Sequence, residues 1–377
     1  MKYIFLSDVH IGENIPENWY QKSVHQVYLK AILQYIQANA QQIQDVVILG
    51  DWFDSWMYPP EPQISATVTE IINNNLEVFT VQDDGDFITC MDSIKGDLYY
   101  VRGNHDMTID FNELNNYIKL HSKKNKQVVC LDEAYGVNGI YAEHGHYFDL
   151  LCKPDLGDKN LYKPLPIGYF VSRVSALYCQ QKLQEAGNQN AAQLPGQGNP
   201  DMSSILKAIV SNYSGDYSNF ANVIMSTLSN LVKCPDMTKL VFTMPDGTVI
   251  NAADVAKMYP DILKNQQDLT SLLVVDADNS LDNNGENLCN SSYKGIKNRV
   301  VVMGHTHVDR LQSHYTLFNG KTIYVNSGFM CPAIPDISTG MVMTFTEVEQ
   351  NGSTFTVRLK KVNYPGTSIS TLTEATI

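Results

Sequence analysis

The stretch Tyr99–Thr108, YYVRGNHDMT, begins as a buried-looking run and stops at Gly, Asn, His and Asp. A strand that merely turned would be served by Gly103 and Asn104, which both tolerate positive φ, and would have no use for His105. The same shape recurs along the chain. YIFLSDVH (Tyr3–His10), DVVILGDWFD (Asp45–Asp54), GIYAEHGHYFD (Gly139–Asp149) and RVVVMGHTHVD (Arg299–Asp309) are all apolar runs that end in Asp or His. Five such runs describe one rim of a sheet, at the strand ends where α/β folds assemble their sites.

Between the first two runs, Trp19–Ala40 carries apolar residues at helical spacing, so the chain starts β then α. From Leu151 to about Asn298 the pattern changes. LPIGYFVSRVSALYCQQKLQEA and MSSILKAIVSNYSGDYSNFANVIMSTLSNLVK read as helices separated by the loop GNQNAAQLPGQGNP. FTMPDGTVINAADVAKMYPDIL reads as a small β-turn and a helix capped near Asn251, and the polar run Asp276–Ser292 as a mobile loop. This block is expected to be an inserted, mainly helical cap, residues 151–298, that governs access to the site. The core is then residues 1–150 and 299–364. Within it KTIYVNSGFM and the runs Met341–Thr346 and Thr354–Val362 are expected to complete a second sheet, and 365–377 to be a frayed tail.

Charge and composition limit the chemistry. A net charge of -13 with a pI near 5.1 disfavours a phosphate-backbone partner, which needs clustered Lys and Arg, so no nucleic acid is expected. Seven cysteines without C-x-x-C spacing read as reduced and cytoplasmic. Only five residues separate Lys2 from Asp8, too few for a leader's apolar region, and no transmembrane segment is expected. Nothing in the sequence speaks to oligomeric state.

Asp8 and His10, His144 and His146, and His305 and His307 are each two apart, and in extended chain residues i and i+2 face the same side. Six of the nine histidines lie in the strand-end clusters, which points to a metal site. His, Asp and Asn without thiolate describe Mn²⁺, Fe²⁺ or Zn²⁺, and the ligand count exceeds what one ion uses. Two divalent ions are therefore expected, with Asp8 and Asp51 returning only two of their four charges, so that hydroxide and phosphate meet a positive site.

As an ordered set, DVH, GDWFD, GNHD, HGH and GHTH resemble the calcineurin-like metallophosphoesterase family. The resemblance implies a four-layer α-β-β-α sandwich and two ions, manganese before iron or zinc. It implies that Asp8, His10, Asp51 and His307 hold one ion, and that Asp51, Asn104, His144 and His305 hold the other, with His144 preferred over His146. It further implies His105 as a general acid that Asp54 orients, and a metal-acidified water as nucleophile. Arg102 is read as a surface or ion-paired residue, Asp106 as a turn acceptor, and Asn326 and Gly328 as shaping the loop beneath the metals.

GDWFDSW and the helical cap are locally similar to the UDP-2,3-diacylglucosamine pyrophosphohydrolase branch, which generally has Arg where this chain has His105. In the cap, Lys163 and Arg173 flank Tyr169–Phe170 and read as a helix packing face or as a binder of an anionic head group. The expected substrate is a small or lipid-linked phosphate ester or pyrophosphate. The alternatives are a nuclease of the same fold, which the acidic charge disfavours, and a non-catalytic metal-binding scaffold, which would have lost ligand or acid positions that are all present here.

Overall fold

Period-two alternation in the short apolar runs sets the layers of this α/β protein. In the first strand Tyr3 and Phe5 are buried with Val47, Leu49, Val101, Ile140, Val300 and Val302, while Ile4 and Leu6 face Leu29, Ile32, Leu33 and Ile36 of the helix Lys22–Asn39. Val301 and Met303 point away from both groups, onto Cys289 of the helix Ser280–Cys289. Reading outward from one helix to the other gives helix, sheet, sheet, helix. The computed structural model describes residues 1–60, 66–80, 85–154, 165–187, 202–260, 262–263, 280–328, 343–363 and 368–377. Among these, no helix is long and apolar enough to cross a membrane.

The first sheet has seven strands. Its parallel part is β1 (Lys2–Leu6), β2 (Ile43–Leu49), β3 (Leu98–Val101) and β4 (Val128–Leu131). The second sheet has five strands. It holds β5 (Tyr135–Val137) and β6 (Ile140–Ala142), β11 (Val300–Met303), β12 (Arg310–Thr316) and β13 (Gly320–Asn326), in the order β12-β13-β11-β6-β5. Between β6 and β11 lie the hairpins β7 (Val241–Thr243)–β8 (Val249–Asn251) and β9 (Ser292–Tyr293)–β10 (Ile296–Lys297), with the helices Ile167–Ala186, Met202–Ser211, Phe220–Leu231 and Ala252–Met258. As expected, Asn251 caps the last of these, accepting from Asp254 N at 2.9 Å.

Four sequence expectations need correction. The five motif runs do not share one sheet: β1, β2 and β3 end in the first, β6 and β11 in the second, so the site lies across the cleft between two rims. An apolar run shows that it will be a strand but not which neighbour it pairs with. For the same reason β14 (Met343–Asn351) and β15 (Thr354–Asn363), assigned to a second sheet, extend the first one antiparallel to β1. Only β13 of that trio belongs to the second.

The tail expected to fray forms β16 (Ser368–Thr376), the edge of the first sheet. Its Ser/Thr content resembles a disordered end, yet β-branched Thr suits an exposed edge strand. The polar run Asp276–Ser292 holds the helix Ser280–Cys289, which few apolar residues announce. Tertiary contacts stabilise it: Leu288 and Cys289 pack on the second sheet, and Gly285 lies against the Tyr324 ring. All of the loop GNQNAAQLPGQGNP after Gly187, and Lys163, fall outside the described residues.

Candidate metal centre

The pairing of β1 with β2 continues past the strand ends. His10 N donates to Asp51 O at 2.8 Å, Ile11 N to Trp52 O at 2.8 Å, and Asp54 N to Ile11 O at 3.0 Å. Within this register Asp8, His10 and Asp51 adopt φ of 57°, 55° and 51°, and His305 and His307 adopt 72° and 57°. The pairs Asp8/His10 and His305/His307 therefore do not converge through extended chain, as the sequence suggested, but through left-handed residues. Each costs on the order of 1–3 kcal/mol and persists because the surrounding structure holds it. Close approach needs small neighbours: a Cβ on Gly103 would overlap the Asp51 carboxylate.

Backbone N–H groups fix the two carboxylates. His305 N donates to both oxygens of Asp8 at 2.9 and 3.1 Å, and His105 N donates to Asp51 Oδ1 at 2.8 Å. Around them two sets of donor atoms gather. In the first, His10 Nε2 lies 3.0 Å from His307 Nε2, and Asp8 Oδ1 is 3.5 Å from the latter. In the second, His144 Nε2 lies 3.2 Å from Asp51 Oδ2, 3.1 Å from Asn104 Oδ1 and 3.3 Å from His305 Nδ1. Asp51 Oδ2 is also 3.7 Å from His10 Nε2, so one oxygen faces both sets.

The far ring nitrogens show which atoms can donate an electron pair. His144 Nδ1 meets the Leu49 carbonyl at 2.6 Å and must supply the hydrogen; His305 Nε2 meets Asp149 Oδ2 at 3.1 Å and does the same. With the far nitrogens so engaged, the inward atoms are the ones that can offer an electron pair to a cation once no proton occupies them. Asp51, Asp8 and Asp106 overcome burial and raise His144 to about 9, but one proton on its Nε2 answers one of the three facing atoms. A divalent cation answers all of them. The donor set, nitrogen and oxygen at both positions, thus fits two hard-to-borderline ions. On the other side burial, with His10 and His305 nearby, lowers His307 to about 4, which leaves its ring neutral and able to ligate.

His105 stands beside both sets. Its Nδ1 lies 3.0 Å from Asp54 Oδ1, and Asp54 and Asp51 raise its pKa against the effect of burial. Asp54 is held by Trp56 N at 2.8 Å and Met57 N at 3.0 Å. The same carboxylate does a second task that the sequence did not indicate, since its Oδ2 is 3.3 Å from His10 Nδ1.

The remaining residues sort by their contacts. His146 is buried outside both donor sets, and burial with His144 and His305 nearby holds it well below its ordinary value. Asp106 accepts from Gly103 N at 2.7 Å and Trp52 N at 3.0 Å, the expected turn role. Arg102 donates to the Met107 and Ile109 carbonyls, both at 3.1 Å, and stacks on Phe111. Asn326 Nδ2 donates to Gly304 O at 2.9 Å, under the GHTH loop. Arg173 is fully buried, with Nη2 donating to Pro59 O at 2.8 Å, in keeping with the helix packing face rather than the head-group reading.

Asp149 was missed as a site residue. It ends the quoted run GIYAEHGHYFD, but no spacing rule pairs it with His305, 156 positions away. Cys152 lies beside it, its thiol pushed well above the usual range by burial and by Asp149.

A family model described as calcineurin-like phosphoesterase matches residues 1–190. That stretch contains the motif residues from Asp8 to His144 and stops before His305 and His307. No curated protein matches the chain. Among solved structures, wild-type Vps29 of Entamoeba histolytica complexed with Zn²⁺ is 11% identical with a TM-score of 0.31, covering 100% of this chain and 99% of that one. GAP50, the anchor in the inner membrane complex of Plasmodium, is 12% identical at 0.32, covering 100% and 87%.

Proposed function

The chain belongs to the calcineurin-like phosphoesterases, and from that premise we propose that it is a dinuclear hydrolase of phosphate esters or pyrophosphate bonds. The observation that carries the reading is Asp51 Oδ2, which faces His144 Nε2 at 3.2 Å and His10 Nε2 at 3.7 Å, where two donor sets from two sheets meet. Asp8, His10, Asp51 and His307 would hold one ion and Asp51, Asn104, His144 and His305 the other. Manganese is the favoured metal, with iron or zinc compatible with the same donors. When bound, the ions supply Lewis acidity and an acidified water at neutral pH.

The protein's own groups do the rest. His105, whose pairing with Asp54 favours its protonated form, delivers a proton to the departing oxygen, so that an alkoxide need not leave as an anion. Asp54 fixes the ring by its Nδ1 and lends the imidazolium charge support. The left-handed residues hold the donors in place before substrate arrives, so no reorganisation is charged to the reaction.

The test is a panel of monoesters, diesters and nucleoside-diphosphate conjugates, small and lipid-linked, with added Mn²⁺ and with chelator. Metal-dependent hydrolysis of at least one class, with about two ions per chain, is expected. Stoichiometric metal without hydrolysis of any ester would leave a scaffold role standing in its place.

A further inference from the structure

The chain between β6 and β11 has an apolar interior of its own, in which Phe170, Val174, Phe220, Ile224, Phe242 and Val255 are fully buried. That interior does not stop at the inserted segment. It takes in Trp56 and Met107, which stand two positions beyond Asp54 and His105 in the motif loops. Trp56 lies with its ring 4.7 Å from the His105 imidazole, tilted by 30°, and meets the Tyr169 ring edge-on at 5.9 Å.

Hydrogen bonds lock this stack from both ends. Arg173 Nη1 donates to the Tyr169 hydroxyl at 2.8 Å, and Arg173 Nη2 to the Pro59 and Pro60 carbonyls at 2.8 and 3.2 Å. The loop that starts at Asp54 is thus tied to the helix Ile167–Ala186. On the other side Ser55 N donates to the His105 carbonyl at 2.9 Å. Asp54 meets one nitrogen of the imidazole, and the ring lies among His10, Trp19 and the Trp56 indole, of which Trp56 is the one that the inserted segment meets through Tyr169.

We infer that the interior of the inserted segment positions the His105 imidazole, with Trp56, Tyr169 and Arg173 as positioning residues that act through it. The inference rests on His105 being the proton donor proposed above. It also changes the role expected for the segment, which then bears on the chemistry as well as on access. A proton donor works only within hydrogen-bond reach of the departing oxygen, and a displacement of about 1 Å costs around 10²-fold. Removing the ring of Tyr169 or the indole of Trp56 opens a space into which the imidazole can tilt. Neither Trp56 nor Tyr169 contributes an atom to either donor set.

The test uses the full chain loaded with Mn²⁺ and two substrates, p-nitrophenyl phosphate, whose leaving group departs without a proton, and an alkyl phosphate, whose leaving group needs one. Trp56→Leu and Tyr169→Leu should keep both ions and lose about 10- to 10²-fold in kcat on the alkyl ester, with a much smaller loss on the nitrophenyl ester. Trp56→Phe, which restores a ring, should recover most of the difference. Where a leucine variant does not fold, Tyr169→Phe removes only the hydroxyl that Arg173 holds, and a loss of about threefold confined to the alkyl ester is expected.

Equal losses on both esters, or none on either, overturn the inference. His105→Ala measured alongside separates it from the reading beneath it. If that variant also fails to discriminate between the esters, the acid role itself is lost. If it discriminates and the Trp56 and Tyr169 variants do not, the acid role stands and only the positioning role falls.

Discussion

The two rims that meet at the centre bring different chemistry. The seven-stranded sheet presents Asp8, Asp51, Asp54, Asn104, His10 and His105, and so all the carboxylates among the sequence-derived site residues. The five-stranded sheet presents His144, His305 and His307, with Asp149 standing behind one of them. Asp8 and Asp51 are fixed by backbone N–H groups, whereas His144 and His305 are oriented by an acceptor at the far nitrogen. The carboxylates are therefore anchored by main chain, and the imidazoles are aimed by their neighbours. Damage to the first half should remove metal outright, and damage to the second should weaken it by degrees.

The hardest test of that division is Asp51→Asn. If the carboxylate bridges, both ions should be depleted in metal analysis and turnover should fall by about 10³-fold or more, the equivalent of several kcal/mol of lost charge stabilisation. Loss of a single ion would contradict the bridging role. His105→Ala comes next: both ions should remain while esters with poor leaving groups slow by about 10²- to 10⁴-fold. A stripped ion in that variant would place His105 among the ligands.

On the imidazole side, Asp149→Ala should weaken the ion held by His144 and His305 by about 10- to 100-fold in a calorimetric titration, with the other ion little changed. Unchanged affinity for both would show that His305 needs no partner to hold its tautomer.

The smallest effect concerns an imidazole that is buried with no carboxylate among the groups that shift it. Burial pulls His25 down to about 4, against 6.5 in the unfolded chain, and its Nε2 has no hydrogen-bond partner among the described residues. The unfolded chain then binds the extra proton between those values, so stability is undiminished above pH 6.5 and falls as pH drops toward 4. At pH 5 the loss is on the order of 2 kcal/mol relative to pH 7.5. His25→Gln should flatten the urea midpoint across that range. An equally steep pH dependence in the variant would assign the acid sensitivity elsewhere.

How much of this was legible in the sequence follows from what is local. The ends of β1, β2, β3, β6 and β11 could be read because each couples an apolar run to a polar cluster within ten or so residues, and the ordered motifs then pointed to one family. Pairing could not be read: β14 and β15 are long apolar alternations that suit either sheet, and only their packing against β1 decides. Helix Ser280–Cys289 was hidden because Tyr324 and Val301 supply the apolar surface that its own sequence lacks. In the site, Asp54 was found through its neighbour Asp51, and its contact with His10 was not, since β1 and β2 meet only in the fold. Asp149 and Trp56 are invisible for the same reason.

The left-handed angles at Asp8, His10, Asp51, His305 and His307 have a consequence for how the protein can change. Folding by itself would prefer glycine at such positions, because only glycine adopts them freely. The centre demands side chains there instead. Sequence drift toward easier folding and selection for metal capture therefore pull in opposite directions at the same residues. A His307→Gly chain should hold its fold in chelator at least as well as the parent, and lose the thermal stabilisation that added metal gives the parent by mass action. Robustness and reactivity are exchanged at a single backbone angle.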